Sequence, residues 1–314
     1  MNKALDVVTF GEAMQMFVAA EPGPLEDVAT FHKRTAGAET NVAIGLARLG
    51  LRVGWVSRLG AESMGRYLLK AMQAEGIDCS HVVCDPMQRT GFLFKGRVTD
   101  GSDPPVEYHR KGSAASQITP ADIDGPWLTS ARHLHATGVF AALAPNTLAT
   151  AHEVMRLMRE AGRSISFDPN LRPTLWPSTE AMREAINALA ARADWVLPGL
   201  EEGRLLTGAD TPEGIAAFYR AQGAQVVVVK LGPDGAYFSS DAASGHVPGF
   251  PVAEVVDTVG AGDGFAVGVI SALLAGRTLP EAVRRGAWIG ARAVQVLGDT
   301  EGLPTQAQLQ ESGL

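Results

Sequence analysis

Seven consecutive residues, Asp257-Thr258-Val259-Gly260-Ala261-Gly262-Asp263, carry more chemistry for their length than any other stretch of this chain. The small residues stand where a helix should begin, because small and apolar side chains recur at helical spacing from about 262 to 275. The segment therefore reads as the end of a strand and the opening of a helix. At a helix N-terminus the first amides lack intrahelical partners and the aligned peptide dipoles favour negative charge. The amides of Gly260, Ala261, Gly262 and Asp263 would form an anion hole, and glycine lets a phosphate approach the backbone closely. Phosphoryl transfer needs positioning, stabilisation of the migrating charge and a base beside the acceptor hydroxyl. Asp263, adjoining the hole, is placed to be that base. Taken alone, a glycine-rich turn with an Asp would also serve as a tight helix cap.

Two rival phosphate devices are missing. A dinucleotide-binding GxGxxG should follow the first strand, but the chain there reads Gly11-Glu12-Ala13-Met14, with the wrong spacing. No GxxxxGK followed by Ser or Thr occurs either.

The elements that must position Asp263 alternate regularly. Residues 5–10 and 53–57 are short apolar runs, and 40–49 between them has helical spacing. The pattern continues with helix 64–75, strand 133–137, helix 146–161, strand 164–168, helix 179–191, strand 194–197, helix 211–221 and strand 226–230. Nearly all-apolar strands between helices predict a three-layer α/β/α fold around a mostly parallel sheet. After VVVVK a glycine turn and AYFSS predict a hairpin, and two long helices, 262–275 and 280–297, close the chain. Stretches 13–35 and 90–112 break the alternation. In the second, TGFLFKGRV and VEYHRK read as strands joined by the polar turn DGSDPP, which predicts a small β-sheet flap. With no linker or internal repeat, residues 1–314 read as one domain carrying that flap as a lid. His133 and His135 on an apolar strand read as core or sheet-edge residues rather than ligands, and Met14, Met16 and the tryptophans as packing.

Composition limits the partners. The chain has 314 residues, 46% of them hydrophobic, and a net charge of −7. That charge opposes general binding to nucleic acid or to acidic membranes. No apolar run reaches transmembrane length, and the strand-sized apolar start, followed by Glu12, lacks a cleavage-site pattern. The two cysteines, Cys79 and Cys84, make neither a disulfide framework nor a CxxC metal knuckle, so a reducing cytoplasm is expected.

DTVGAGD resembles the signature of the ribokinase-like (phosphofructokinase B-type) carbohydrate kinases, in which the anion hole ends on the catalytic base. Ala36-Gly37-Ala38-Glu39-Thr40-Asn41-Val42-Ala43 resembles that family's sugar-binding glycine motif, and the two lie in the family's order along essentially the whole chain. Lys230-Leu231-Gly232-Pro233-Asp234-Gly235 resembles its nucleotide segment. The resemblance implies ATP and Mg2+ as cofactors, leaves a monovalent cation such as K+ open, and makes the lid a place where a homo-oligomer would form. For ATP it implies Asn170, Arg172, Gly199, Lys230, Gly232, Gly235, Gly260, Gly262 and Ala287. Glu202 in Gly199-Leu200-Glu201-Glu202 would organise the magnesium shell through water, although Gly199 and Ala287 stand where the family commonly has Asn. Tyr108-His109-Arg110-Lys111-Gly112-Ser113-Ala114 and the run Asp168-Pro169-Asn170-Leu171-Arg172-Pro173-Thr174-Leu175-Trp176 are similar to those of 2-keto-3-deoxygluconate kinases, as is Glu39. There Arg110 and Arg172 would grip the carboxylate of a sugar acid through bidentate, charge-assisted bonds. Gly37, Ala38, Glu39, Asn41, Tyr108 and Val139 would line the sugar, with Asp299 on the opposite wall. Leu93 takes a position that often offers Tyr. A kinase of fructose or ribose, with the arginines in internal pairs, and a catalytically inactive sugar-binding regulator stay open as alternatives.

Overall fold

The computed structural model describes residues 4–98 and 104–314. Its strands, in chain order, begin with β1 (Val7–Phe10), β2 (Met14–Ala19), β3 (Phe31–Ala36), β4 (Val53–Gly60), β5 (Val82–Asp85), β6 (Phe92–Lys95) and β7 (Val106–His109). They continue with β8 (His133–Thr137), β9 (Ser164–Asp168), β10 (Trp195–Val196), β11 (Val226–Lys230), β12 (Ala236–Ser240) and β13 (Ser244–Val247). The helices are α1 (Ala38–Arg48), α2 (Ser63–Ala74), α3 (Gly125–Ser130), α4 (Gly138–Ala141), α5 (Pro145–Glu160) and α6 (Thr179–Ala190). They are followed by α7 (Leu200–Thr207), α8 (Pro212–Ala221), α9 (Ala261–Leu274), α10 (Leu279–Ala293) and α11 (Gln306–Ser312).

Nine strands make one sheet in the order β13-β12-β11-β10-β9-β8-β1-β4-β5. From β11 to β5 all neighbours run parallel, and β12 and β13 add an antiparallel edge, the hairpin expected after VVVVK. Apolar strands need cover on both faces. On one face pack Leu128 of α3, Val154 of α5, Met182 and Ile186 of α6, and Ile215 and Tyr219 of α8. On the other lie Val42 and Leu46 of α1, Leu68 and Met72 of α2, Val267 and Ile270 of α9, and Val283 and Ile289 of α10. Helix starts follow local chemistry: Ser178 and Thr211 accept hydrogen bonds from the amides of Ala181 and Gly214, and Pro212 opens α8. His133 and His135 are fully buried and bonded to Ser164 and Ser166, and burial holds the His135 ring neutral, with its pKa down at about 3. They are core, as their apolar strand suggests.

The aberrant stretches build a second sheet, ordered β3-β2-β6-β7. Met14 pairs antiparallel with Ala36, Gln15 parallel with Phe92, and Phe92 antiparallel with His109. Its inner face carries Met14, Met16, Val18 and Leu93 as a small apolar cluster. Its outer face carries Phe17, Phe31, Phe92, Phe94 and His109 in ring contact, half-buried or exposed. Residues 100–103 of the DGSDPP turn lie outside the described residues.

Several expectations need correction. No strand leads into DTVGAGD: β13 ends at Val247, and the irregular segment that follows is anchored by the amides of Val256 and Asp257 on the carbonyl of Val294. Helix α10 stops at Ala293 rather than 297, and the short α11 closes the chain. Strands β5 and β13 and helices α3, α4 and α7 carry too little periodicity to be read from sequence. Among the described residues no helix is long and apolar enough to cross a membrane.

Candidate active site

Parallel strands bring their carboxyl ends to one edge, where side chains beyond β1, β8, β9 and β11 converge. A cavity of about 440 Å³ lies there, between this edge and the inner face of the small sheet. Asp263, in the first turn of α9, is buried at its floor. Asn41 Nδ2 donates to Asp263 Oδ2 at 2.7 Å and Asn170 Nδ2 to Oδ1 at 3.2 Å. Asn170 reaches it from a left-handed backbone conformation, φ 39°, which Asn tolerates better than most residues. Burial pushes the Asp263 carboxyl up to about 7; the Asn41 bond resists, the charges of Asp168 and Asp299 add, and Lys230 opposes. A carboxylate poised near neutrality in a cavity can take a proton from a hydroxyl.

The expected anion hole lies at the same turn. Gly260 takes φ 85° as the residue before α9, and a Cβ there would fall 2.6 Å from the carbonyl oxygen of Asp299. The first ladder bond of α9 runs from Gly264 N to Gly260 O at 2.8 Å, so the amides of Ala261, Gly262 and Asp263 precede the ladder. At Gly262 a Cβ would meet only Lys230 Nζ, at 3.5 Å, and would otherwise project into open space. That free space beside an ammonium and a helix N-terminus fits a phosphate. Lys230 Nζ is tied to Asp168 Oδ2 at 2.5 Å. Burial works against its charge, but Asp168 and Glu202 hold its pKa above the ordinary lysine value. Burial likewise raises Asp168 to about 6 against the pull of Lys230.

Of the residues expected to meet a sugar, Gly37, Ala38, Asn41, Tyr108, Arg110, Val139, Arg172 and Asp299 all line the cavity, as do Asn170, Lys230, Gly260 and Gly262. Gly37 is required by its backbone: φ is 148°, and a Cβ would lie 2.5 Å from Glu12 O. Arg172 donates from Nη1 to its neighbour's carbonyl, Leu171 O, at 2.8 Å. Arg110 is different. Its Nε and Nη2 both bind Glu12 Oε2, at 2.7 and 2.5 Å, with both side chains buried. Arg110 thus lines the cavity with two of its guanidinium nitrogens already held by an internal acid, which narrows what it can offer a ligand.

Most other residues expected in the site do not line this cavity. Glu39 accepts from Thr137 Oγ1 at 2.6 Å and packs under Gly11, so it supports the sugar wall without lining the cavity. Ala261 gives only backbone. Gly199 pairs with Lys230 as an isolated bridge, Gly232 and Gly235 form the turn after β11, and Ala287 is buried in the core around α9 and α10. Glu202 reaches the cavity, but its two oxygens accept from the amides of Leu171 at 2.7 Å and Gly199 at 2.8 Å. It clamps two strand ends together. Among the described residues no group of three His, Cys, Asp or Glu is arranged to hold a metal, so an ion here would depend on ligand oxygens and water.

Four charged side chains at or beside the cavity were given no role from sequence: Glu12, Lys95, Asp168 and Asp257. Asp168 could have been given one, because it ends a parallel strand at the ligand-binding edge. Lys95, inside the apolar run FLFKG, signals itself only as a charge on a strand. Met14 and Met16 do pack, and they also line the cavity wall.

Comparison with known proteins agrees with this geometry. Residues 4–306 match the family described as pfkB family carbohydrate kinase. The chain is 51% identical over 306 residues to a 2-dehydro-3-deoxygluconokinase of Bacillus subtilis, covering 97% of this chain and 94% of that one. It superposes with TM-score 0.91 on a crystal structure of a PfkB protein from Polaromonas sp. JS666, at 71% identity, covering 98% of this chain and 99% of the other. A putative ribokinase II from E. coli, solved in complex with ATP and Mg2+, gives TM-score 0.91 at 26% identity, with 98% of each chain covered.

Proposed function

Since the chain belongs to the pfkB family of carbohydrate kinases, we propose that it transfers the γ-phosphoryl group of ATP to the 6-hydroxyl of 2-keto-3-deoxygluconate. The observation that carries this reading is one cavity with a buried carboxyl near neutrality at its floor, a helix N-terminus and an ammonium on one side, and Arg172 on the other. The acceptor hydroxyl would lie against Asp263, which removes its proton as the oxygen attacks phosphorus. Amides of Ala261–Asp263 and Lys230 Nζ would hold the phosphate oxygens as charge develops on them. Mg2+ carried with ATP would neutralise phosphate charge, with Glu202 the acid facing its water shell. Arg172 would bind the sugar carboxylate with its planar fork.

The small sheet would act as a lid that excludes water from the phosphoryl group. Its half-exposed phenylalanine face is where we place a contact with a second copy. The cytoplasm, where ATP is available and free Cys79 and Cys84 stay reduced, is the proposed site of action. The engagement of Arg110 by Glu12 is the one feature that favours a neutral sugar instead. A coupled ADP-release assay across keto-deoxy acids, fructose and ribose decides: the keto-deoxy acid should give the highest kcat/KM. Faster turnover of fructose or ribose would transfer the assignment to a neutral sugar.

A further inference from the structure

One buried charge cluster joins Asp299 to two groups, Lys95 and Asp257, that the chemistry above does not use. Lys95, at the inner end of lid strand β6, is 1% exposed. Its Nζ contacts Asp257 Oδ2 at 2.6 Å and Asp299 Oδ1 at 3.2 Å, and both acids are buried as well. Asp257 opens the anion-hole segment: its Oδ1 accepts from Val259 N at 3.1 Å and its Oδ2 from Gly298 N at 3.2 Å. Asp299 lines the cavity, and its backbone packs against Gly260 so closely that a Cβ on Gly260 would overlap it. Two carboxylates thus brace the turn that must receive a polyanion. Unbalanced, they would repel it and each other. A cation between them offsets this repulsion, and the chain supplies one covalently.

The geometry points to Lys95 as a positioning residue, the resident counter-charge of the phosphate-binding turn: its ammonium, carried in on the lid, fixes Asp257 and Asp299, shapes the anion hole and replaces any need for an added monovalent cation. Because the ammonium rides on the sugar-covering sheet while Asp257 belongs to the phosphate-binding turn and Asp299 packs against it, seating of the lid and shaping of the anion hole are mechanically linked. This inference rests on the kinase reading.

The test compares wild type with Lys95→Met, which keeps an unbranched chain of similar length. Wild-type turnover with saturating Mg·ATP and sugar should change less than about twofold between choline, sodium and potassium salts. Lys95→Met should lose ~100-fold in kcat with a much smaller change in sugar KM, since an interaction acting on the transition state is removed. It should also bind ADP, measured by calorimetry, ~10-fold more weakly, and ammonium or potassium should restore part of both losses. Lys95→Arg should retain more activity than Lys95→Met. A requirement of the wild type for an added monovalent cation overturns the inference, as does a folded Lys95→Met with normal kcat and ADP affinity, or one whose defects no small cation relieves. If Lys95→Met fails to fold, the salt comparison on wild type decides alone. Should wild type phosphorylate no sugar, the kinase reading falls, while ADP binding by the two proteins still judges Lys95.

Discussion

The two sheets of this protein divide its work unequally. The nine-stranded sheet is covered on both faces by apolar helices, and Asp263, Asp168 and Lys230 stand at its edge held by short hydrogen bonds. The four-stranded sheet has only Met14, Met16, Val18, Ala36 and Leu93 as its buried apolar cluster, and its outer phenylalanines are half-exposed. Elements with few buried apolar contacts open most easily. The side chains held by short hydrogen bonds thus stand with the well-buried sheet, and the smaller sheet carries the more exposed face. Arg172 and Arg110 follow the same division. Arg172, beyond β9 of the large sheet, is bonded only to the neighbouring carbonyl among its described contacts, whereas Arg110, just past β7, spends its fork on binding the lid to Glu12.

The sharpest way to break this comparison is at Asp263. Asp263→Asn keeps the shape and removes the base, so kcat should fall by ~100-fold or more with sugar affinity little changed. In the wild type the base must be ionised, so kcat should rise with pH and level off above about 7. Stability should move the other way. The folded protein holds the Asp263 proton more tightly than the unfolded chain, so this group's contribution to stability is lost as pH rises from the ordinary carboxylate range through about 7. Asp263→Asn should therefore melt higher than wild type above pH 7, and a lower melting temperature there would contradict the buried, proton-holding state.

Next in size is the contrast between the arginines. Arg172→Ala should raise KM for the keto-deoxy acid by an amount equivalent to ~2–4 kcal/mol, with Lys rescuing only part and melting unchanged. Arg110→Ala should act on stability first. It leaves Glu12 buried without its partner, a change that costs about 3–5 kcal/mol when a buried pair is broken. Equal effects of the two substitutions on KM and on melting would erase the distinction.

A smaller effect is expected at the glycines. A methyl at Gly262 meets only Lys230 Nζ and projects into the phosphate space, so Gly262→Ala should fold normally and lose ~10–100-fold in turnover. Gly260→Ala, at φ 85° and against the Asp299 backbone, should lower the melting temperature as well. Normal turnover by Gly262→Ala would remove that amide turn from the site.

The mildest probe leaves the sequence intact. Hydrogen exchange should show β6 and β7 gaining protection on saturation with sugar while β11 stays unchanged. Indifference of β6 and β7 would mean that the small sheet is not a substrate lid.

What could be read from the residues alone follows from period and local chemistry. Strands 133–137, 164–168 and 226–230 were legible to the residue, because a strand buried on both faces advertises itself without help from its partners, and 236–240 was marked by the glycine turn before it. The glycines before α9 and the Asp after them announced a helix N-terminus with a carboxylate, since cap chemistry is local. Short elements such as β5, β13 and α7 stayed hidden, their stability coming from neighbours rather than from their own pattern. The same holds for pairing. Nothing in the order of residues says that Glu12 claims Arg110 across 98 positions, that Lys95 meets Asp257 across 162, or that Asn41 bonds Asp263 across 222. Sequence thus determined the fold class, and it marked the glycine turn opening α9 as a candidate anion hole and Asp263 as the candidate base. Only the tertiary structure decided which charges are left for a ligand, because a buried charge must be matched by whichever opposite charge the fold brings within reach.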